Sequence, residues 1–531
     1  MKQFAQLFLD LENTSATNQK VSLFQNYFAQ ATDEDKLWAL ALFSHKRPKS
    51  ILNTRQLREI VLELTGLEPW LFEESYSVVG DLAETLSLVL PDPADVSDHS
   101  LTYWIELLIS IKSLDDDQRK AKIKEALNQL DKPERFVFFK LLTGGFRVGM
   151  SKTLVLKALG QHLDIDPSTL AHRSMGNWTP ESTTLQKLLI DSHENEDLSK
   201  PYPFYLAYAL ETEPQALGPL DDWQVEWKWD GIRSQLIVRD GQLSLWSRGE
   251  ELITEKFPEF EPLAFVIPSG TVIDGELLPV KEGKPLPFAL LQKRIGRKNL
   301  TKKILQELPA TIRAYDLLEW QGRDIRSEPL QIRRVHLEDL ISKLDQPVIQ
   351  LSEIVSESTW EDFSDLQKQA RTYLAEGFML KKKSSTYQSG RNKGDWWKWK
   401  IEPMTVDAVM IYAQKGHGKR ADLFSDYTLA VWDEDTLVPF AKAYSGLTDK
   451  ELAEVSRFVR SNTKEKFGPV RTVTPELVFE VAFEGIQLSP RHKSGVAVRF
   501  PRIHRWRKDK KPDQANTLTD LKDLLKQYGA Y

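Results

Sequence analysis

Three textures follow one another along the chain. In residues 1–200 apolar side chains recur at helical spacing. Phe136, Phe139 and Leu142 fall every three positions within Arg135–Leu142, which predicts one apolar helix face. Gly144 and Gly145 are expected to stop that helix. Ser151 is placed to N-cap the next one, whose Leu154, Val155, Ala158 and Leu159 share a face. Strand signals are scarce here, and the acidic, polar run around residue 195 reads as a linker. From 201 to 402 short alternating runs predict strands at Gln224–Trp229, Ser234–Val238, Leu243–Trp246 and Thr271–Leu278. Asp-Gly and Gly-Glu turns separate them, and a helix falls around Ser327–Leu344. Residues 403–531 return to strands (Asp407–Ala413, Tyr427–Trp432, Leu477–Phe483, Val496–Phe500) with one helix at Asp449–Arg460. The expected architecture is multidomain: an all-α N-terminal domain (1–200), an α+β domain (201–402) and a C-terminal β-barrel (403–531).

Composition narrows the class. With 531 residues, 41% hydrophobic and 28% charged, the chain has the make-up of a folded globular protein of about three domains. No uncharged apolar run approaches the roughly 18 residues of a membrane span, and the N-terminal segment meets acids too early for a signal peptide, so a cytosolic protein with no membrane partner is expected. Cysteine is absent, which removes disulfides, cysteine zinc sites and thiol nucleophiles. The nine histidines show no metal-binding spacing. The net charge of −6 says little about partners, because basic residues still cluster locally.

The chemistry concentrates in Glu226-Trp227-Lys228-Trp229-Asp230-Gly231-Ile232-Arg233. On a strand, the period of two places Glu226, Lys228 and Asp230 on one face and Val225, Trp227 and Trp229 on the other. A lysine held against an apolar wall near other cations is a usable nucleophile, and Gly231 is expected to allow a sharp turn after the strand. In Trp396–Lys400 the same alternation pairs Lys398 with Lys400, opposite Trp397 and Trp399. Two adjacent ammonium groups stabilise phosphate charge. Arg491–Lys511 holds nine Lys or Arg residues against one acid, Asp509, interleaved with Phe500, Pro501 and Trp506. Lys381–Lys400 has the same character. Gly144…Gly149-Met150-Ser151 is not a Walker loop, because Met150 stands where its lysine belongs and a helix precedes it. His45–Lys49 reads equally as a backbone contact or a solvated loop.

With these residues in view, the chain resembles the covalent nucleotidyltransferases, and among them the ATP-dependent DNA ligases of the bacterial three-domain type. The lysine-x-Asp-Gly-x-Arg motif is followed in order by Ser247-Arg248-Gly249-Glu250, Ile273-Asp274-Gly275-Glu276-Leu277 and Ala314-Tyr315-Asp316-Leu317-Leu318. Glu376-Gly377-Phe378-Met379-Leu380-Lys381, Trp396–Lys400 and Phe500–Lys510 complete the set. The helical third resembles the DNA-binding domain of a subset of these ligases, most clearly at Arg135–Ser151.

The resemblance implies nick sealing in duplex DNA, in repair and replication, through a lysyl-AMP on Lys228, with Lys398 and Lys400 as catalytic cations. It implies ATP contacts from Glu226 (adenine edge), Tyr315 (adenine stacking), Glu276 (ribose), Arg233 and Arg248 (ribose and phosphates), and Arg507 and Lys510 (pyrophosphate, from an OB-fold domain). Glu276 and Glu376 would hold Mg²⁺, with Mn²⁺ as the alternative. Arg248, Gly145, Arg147, Gly149 and Ser151 would contact DNA. The implied partner is nicked duplex DNA, bound by a monomer. An RNA-joining or capping-type transferase and a catalytically idle nick-binding scaffold stand as alternatives. An NAD-dependent ligase is disfavoured, since that type carries a four-cysteine zinc module.

Overall fold

The computed structural model describes the chain from Met1 to Gly529, except residues 15, 45, 47, 49–50, 94, 144–145, 147–149, 177, 192–197, 298, 417–421 and 445. The chain divides into two compact units. One comprises residues 168–178 and 188–402; the other comprises 1–167, 179–187 and 403–531.

The first unit is built on two sheets. Strands β1 (Trp223–Trp229), β2 (Ile232–Arg239), β3 (Gln242–Ser247), β4 (Thr271–Lys281), β5 (Ala310–Trp320), β6 (Ala375–Lys382) and β7 (Trp396–Lys400) carry the motifs. One sheet orders Ile349–Leu351, β5, β4, β2, β3; the other orders Tyr208–Ala209, β7, β6, β1. Alternation assigns each strand two faces. Leu236, Val238, Ile273, Leu277, Ile312 and Ala314 point to a core closed by Phe257, Phe260 and the helix Leu330–Lys343. Val225, Trp227 and Trp229 pack with Phe363, Phe378, Trp397 and Trp399 on the outer side of the second sheet. Between the sheets, Ile237, Trp246, Val272 and Leu318 meet Tyr205, Tyr387 and Trp396. The polar faces of β1, β2, β4, β5 and β7 open into this cleft.

In the second unit the N-terminal part is helical, from Lys2–Glu12 to Lys152–Leu163, as its periodicity predicts. The helix Lys132–Thr143 departs from the one-faced expectation: Phe136, Val137, Phe138, Phe139 and Leu142 are all buried, and so are Glu134, Arg135 and Lys140. It is a central helix, and its polar residues find internal partners. Arg135 donates to the carbonyls of Leu127 (2.8 Å) and Pro91 (2.6 Å), and Lys140 to Asp81 (2.6 Å).

The C-terminal part is strand-rich: β8 (Met404–Lys415), β9 (Phe424–Asp433), β10 (Thr436–Ala443), β11 (Val470–Val473), β12 (Val478–Phe483) and β13 (Arg502–Trp506), in an antiparallel half-barrel in which β8 pairs with β9, β11 and β12. Two helices, not the expected one, fill it. Asp449–Ser461 contributes Leu452, Val455 and Val459, and Leu518–Tyr528 adds Leu518, Leu521 and Leu525. The second starts at a capping box, Thr517 with Asp520, a signal that was present in the sequence and not read. The strand forecast at Val496–Phe500 ends at Arg499, and Phe500 turns outward with φ 54°.

Candidate active site

The site grows from β1. Lys228 lies on its inward face, and its Nζ donates to Glu376 Oε2 at 2.5 Å. Glu376 reaches it because β6 is irregular between Ala375 and Phe378, an interruption of the ladder that re-aims the carboxylate. Gly377 makes this possible. Its φ is 127°, and a Cβ there would lie 2.2 Å from the Trp399 carbonyl oxygen. Across β7, which pairs with β6 so that Gly377 opposes Lys400 and Met379 opposes Lys398, Lys400 Nζ lies 3.2 Å from the same Glu376 oxygen. Burial by itself would raise the Glu376 carboxyl; Lys228 and Lys400 outweigh it and hold the group below its ordinary value. Lys398 has its pKa lowered, first by burial and then by Arg391, Lys400, Lys228 and Arg248. Among the described residues neither Lys398 nor Arg248 has an acidic partner.

Gly231 does not make the sharp turn expected of it, for it lacks a positive φ. Its need is close approach: a Cβ would stand 2.5 Å from the Leu277 carbonyl oxygen and 2.9 Å from Glu276 Cγ. The strand that follows is thereby pressed against β4, where Glu276 sits. Burial pushes the Glu276 carboxyl up to about 7, against the pull of Lys228 and Arg233.

Deeper in the cleft is a polar knot that the sequence did not reveal. Asp274, fully buried, accepts from Arg233 Nη2 (2.7 Å) and Nε (3.2 Å), from Tyr387 Oη (2.6 Å) and from Tyr315 Oη (3.1 Å). Arg233 also donates to the Tyr205 carbonyl at 2.5 Å. Glu226 Oε1 accepts from Gln224 (2.7 Å) and from the buried Lys381 (2.8 Å), whose Nζ stands 3.9 Å from the Tyr315 ring centroid. Lys381 and Tyr387 are the residues sequence reading missed, although Lys381 closes a motif already singled out. Its burial between Tyr315 and Trp396 depends on strands far apart in the chain.

The structure thus brings Lys228, Lys398, Lys400, Glu376 and Glu276 together on the cleft walls, with Glu226, Arg233 and Tyr315 behind them. Arg248 is exposed at the end of β3, its backbone N–H donating to the Arg233 carbonyl at 2.9 Å. Arg507 and Lys510 belong to the other unit, where both bind Asp407. Their neighbours answer the charge of that basic run: Glu480 takes Arg505 at 2.7 Å, Glu484 takes Arg502 at 3.0 Å and Glu454 takes Lys508 at 2.7 Å. Ser151 caps Lys152–Leu163 as expected, accepting from the Leu154 N–H at 3.4 Å. Gly145, Arg147 and Gly149, the helix stop at Gly144–Gly145, most of His45–Lys49 and most of the linker near 195 lie outside the described residues.

Glu276 and Glu376 suit a hard divalent cation that shares substrate phosphates, which asks only one or two carboxylates of the protein. No cluster of three or more candidate ligands occurs among the described residues. No helix among them is long and apolar enough to cross a membrane.

Most of the chain matches known proteins. Residues 205–400 match the family model of the ATP-dependent DNA ligase domain, 1–160 that of the DNA ligase N terminus and 420–510 that of the ATP-dependent DNA ligase C-terminal region. A probable DNA ligase of Koribacter versatilis is 29% identical over 99% of this chain and 96% of its own length. A DNA ligase of Methanoculleus marisnigri is 30% identical over 72% of this chain and 69% of its own. A solved structure titled Pmar-Lig_PreS3 shares the fold, with a TM-score of 0.61 and 16% identity, over 95% of this chain and 99% of its own.

Proposed function

Because the chain belongs to the ATP-dependent DNA ligase family, we propose that it seals 5′-phosphate/3′-hydroxyl nicks in duplex DNA through an adenylate carried on Lys228. The observation that carries this reading is the cleft itself. One lysine amine faces two further lysines and a carboxylate, with an aromatic and polar pocket behind it.

In the first step the Lys228 nitrogen forms a bond to the α-phosphorus of ATP. The bond to the bridging oxygen breaks, and pyrophosphate leaves. The amine must shed a proton to solvent before it attacks, and its contact with Glu376 Oε2, 2.5 Å away, holds it in the cleft. Lys398 and Lys400 stabilise the negative charge that builds on the non-bridging oxygens. Arg507 and Lys510 receive the departing pyrophosphate. In the second step the 5′-phosphate of the nick, met by Arg248, takes the AMP and frees the lysine. In the third, the 3′-hydroxyl attacks that phosphate and AMP is released. Glu226 and Tyr315 hold the base, and Glu276 and Arg233 the ribose side. Glu276 and Glu376 would hold Mg²⁺, which would add to the neutralisation of phosphate charge.

The division of labour follows the domains: 1–200 grips DNA, with Gly145, Arg147, Gly149 and Ser151 at the backbone; 201–402 performs the adenylyl transfers; 403–531 serves the pyrophosphate. Phosphate contacts without base readout suit nicks of any sequence. The protein acts as a monomer in the cytosol. Mass analysis of the ATP-treated chain, intact and as peptides, tests the reading. One AMP on the peptide containing Lys228 supports it; an adduct on another residue, or none, refutes it.

A further inference from the structure

Arg507 and Lys510 stand three residues apart after β13, and two like charges so close together repel. In the structure they are held together from below. Asp407 of β8, with a side chain only 8% exposed, accepts from Arg507 Nη1 through Oδ1 (3.1 Å) and Oδ2 (2.9 Å), and from Lys510 Nζ through Oδ2 (2.6 Å). Its backbone is pinned on both sides. The Asp407 N–H donates to Asn516 Oδ1 at 2.7 Å, and the Asn516 N–H returns a bond to the Asp407 carbonyl at 2.9 Å. On its outer side Arg507 is fixed by Asp509, through Nε (3.0 Å) and Nη2 (2.7 Å). Both cations still reach solvent, with side chains 15% and 31% exposed.

We propose that Asp407 is a positioning residue for nucleotide: it offsets the repulsion between Arg507 and Lys510 and fixes their separation, so that the pair meets the β- and γ-phosphates as one preformed clamp. A loosely held pair would have to be ordered by the nucleotide at each encounter, a cost that a preformed pair avoids. The inference rests on the pyrophosphate role given above to Arg507 and Lys510. It confines the effect of Asp407 to the step in which a pyrophosphate is present.

The test is Asp407→Asn in the full chain, which keeps the shape and removes the charge. Adenylate uptake from ATP and sealing of a pre-adenylated nicked duplex are followed side by side. The expected result is a KM for ATP raised about tenfold, a rate at saturating ATP changed far less, and pre-adenylated nicks sealed within about twofold of the wild-type rate. Asp407→Glu, which retains the charge one methylene further out, should recover part of the loss, and it carries the test if the Asn variant does not fold. Unchanged or faster uptake overturns the proposal. Equal losses in both reactions also overturn it, because they would mean that Asp407 only maintains the fold. A wild-type chain that takes up no adenylate fails the proposed function itself, and that arm is read first.

Discussion

β7 and the segment Arg502–Lys510 are both short, rich in Lys and Arg, and accompanied by tryptophan, yet they finish in opposite electrostatic conditions. On β7, Lys398 has no acidic partner among the described residues, and Lys400 shares a single carboxylate oxygen with Lys228. In the C-terminal segment Arg502, Arg505, Arg507, Lys508 and Lys510 each pair with an acid from a neighbouring element. The first arrangement crowds Lys228, Lys398 and Lys400 into a partly buried cleft, where a phosphate is the natural complement. The second holds its cations in set positions and offers less net field. The same residue types therefore serve different ends: charge stabilisation in one place, shape in the other.

The sharpest way to break this contrast is to remove an ammonium from β7. Lys398→Met or Lys400→Met should cost about 10²–10³-fold in the adenylylation rate, the scale of deleting one preorganised donor to a charged transition state. The pKa of Lys398 is lowered, so its charge disappears at a lower pH than that of an ordinary lysine. The wild-type rate should accordingly fall on the alkaline side, and Lys398→Arg should extend that limb upward. A pH–rate profile of adenylate uptake by single-turnover kinetics checks both points. A loss under about tenfold for both Met variants would place the decisive charge elsewhere.

Glu276 sharpens the comparison from the acidic side, with a smaller effect. Burial pushes its carboxyl up to about 7, so the ionised form that ribose or a divalent cation needs is the one that folding disfavours. With a folded pKa above the unfolded value of 4.5, its contribution to stability is complete below about 4.5 and is lost as pH rises through about 7. Nucleotide uptake should weaken up to about tenfold per pH unit below 7. Glu276→Gln should abolish that acid limb and lower activity, yet raise the melting temperature at pH 8. A Gln variant that is less stable at pH 8, or one that keeps the acid limb, would contradict this account.

Legibility divides along the same line. The faces of β1 and β7 could be read from sequence because lysine and tryptophan alternate, so period two alone sorts charged from apolar. The helix Lys132–Thr143 lies where its periodicity predicts, but the burial of its charged residues Glu134, Arg135 and Lys140 does not follow from that pattern. Arg135 and Lys140 are satisfied by Pro91 and Asp81, partners that no local pattern encodes. Glu376 was recognised as a motif residue, whereas its contact with Lys228 required an irregular strand pairing 148 residues away. The basic run 491–511 looked nearly free of acids because its neutralising partners, Asp407, Glu454, Glu480 and Glu484, sit on other elements.

The smallest expected effect tests the contrast at its edge. Lys508 meets Glu454 of the helix Asp449–Ser461 at 2.7 Å, with side chains 55% and 30% exposed. An exposed pair of this kind contributes roughly 0–1 kcal/mol, because water already solvates both ions and salt screens them. Lys508→Ala should leave adenylate uptake within about twofold and shift the melting temperature by no more than about 2–4 °C. Thermal denaturation and uptake at low and high salt measure this directly. If Lys508→Ala instead matched the loss from Lys398→Met, the paired cations of the C-terminal segment would be supplying field rather than shape, and the distinction between the two basic strands would not hold.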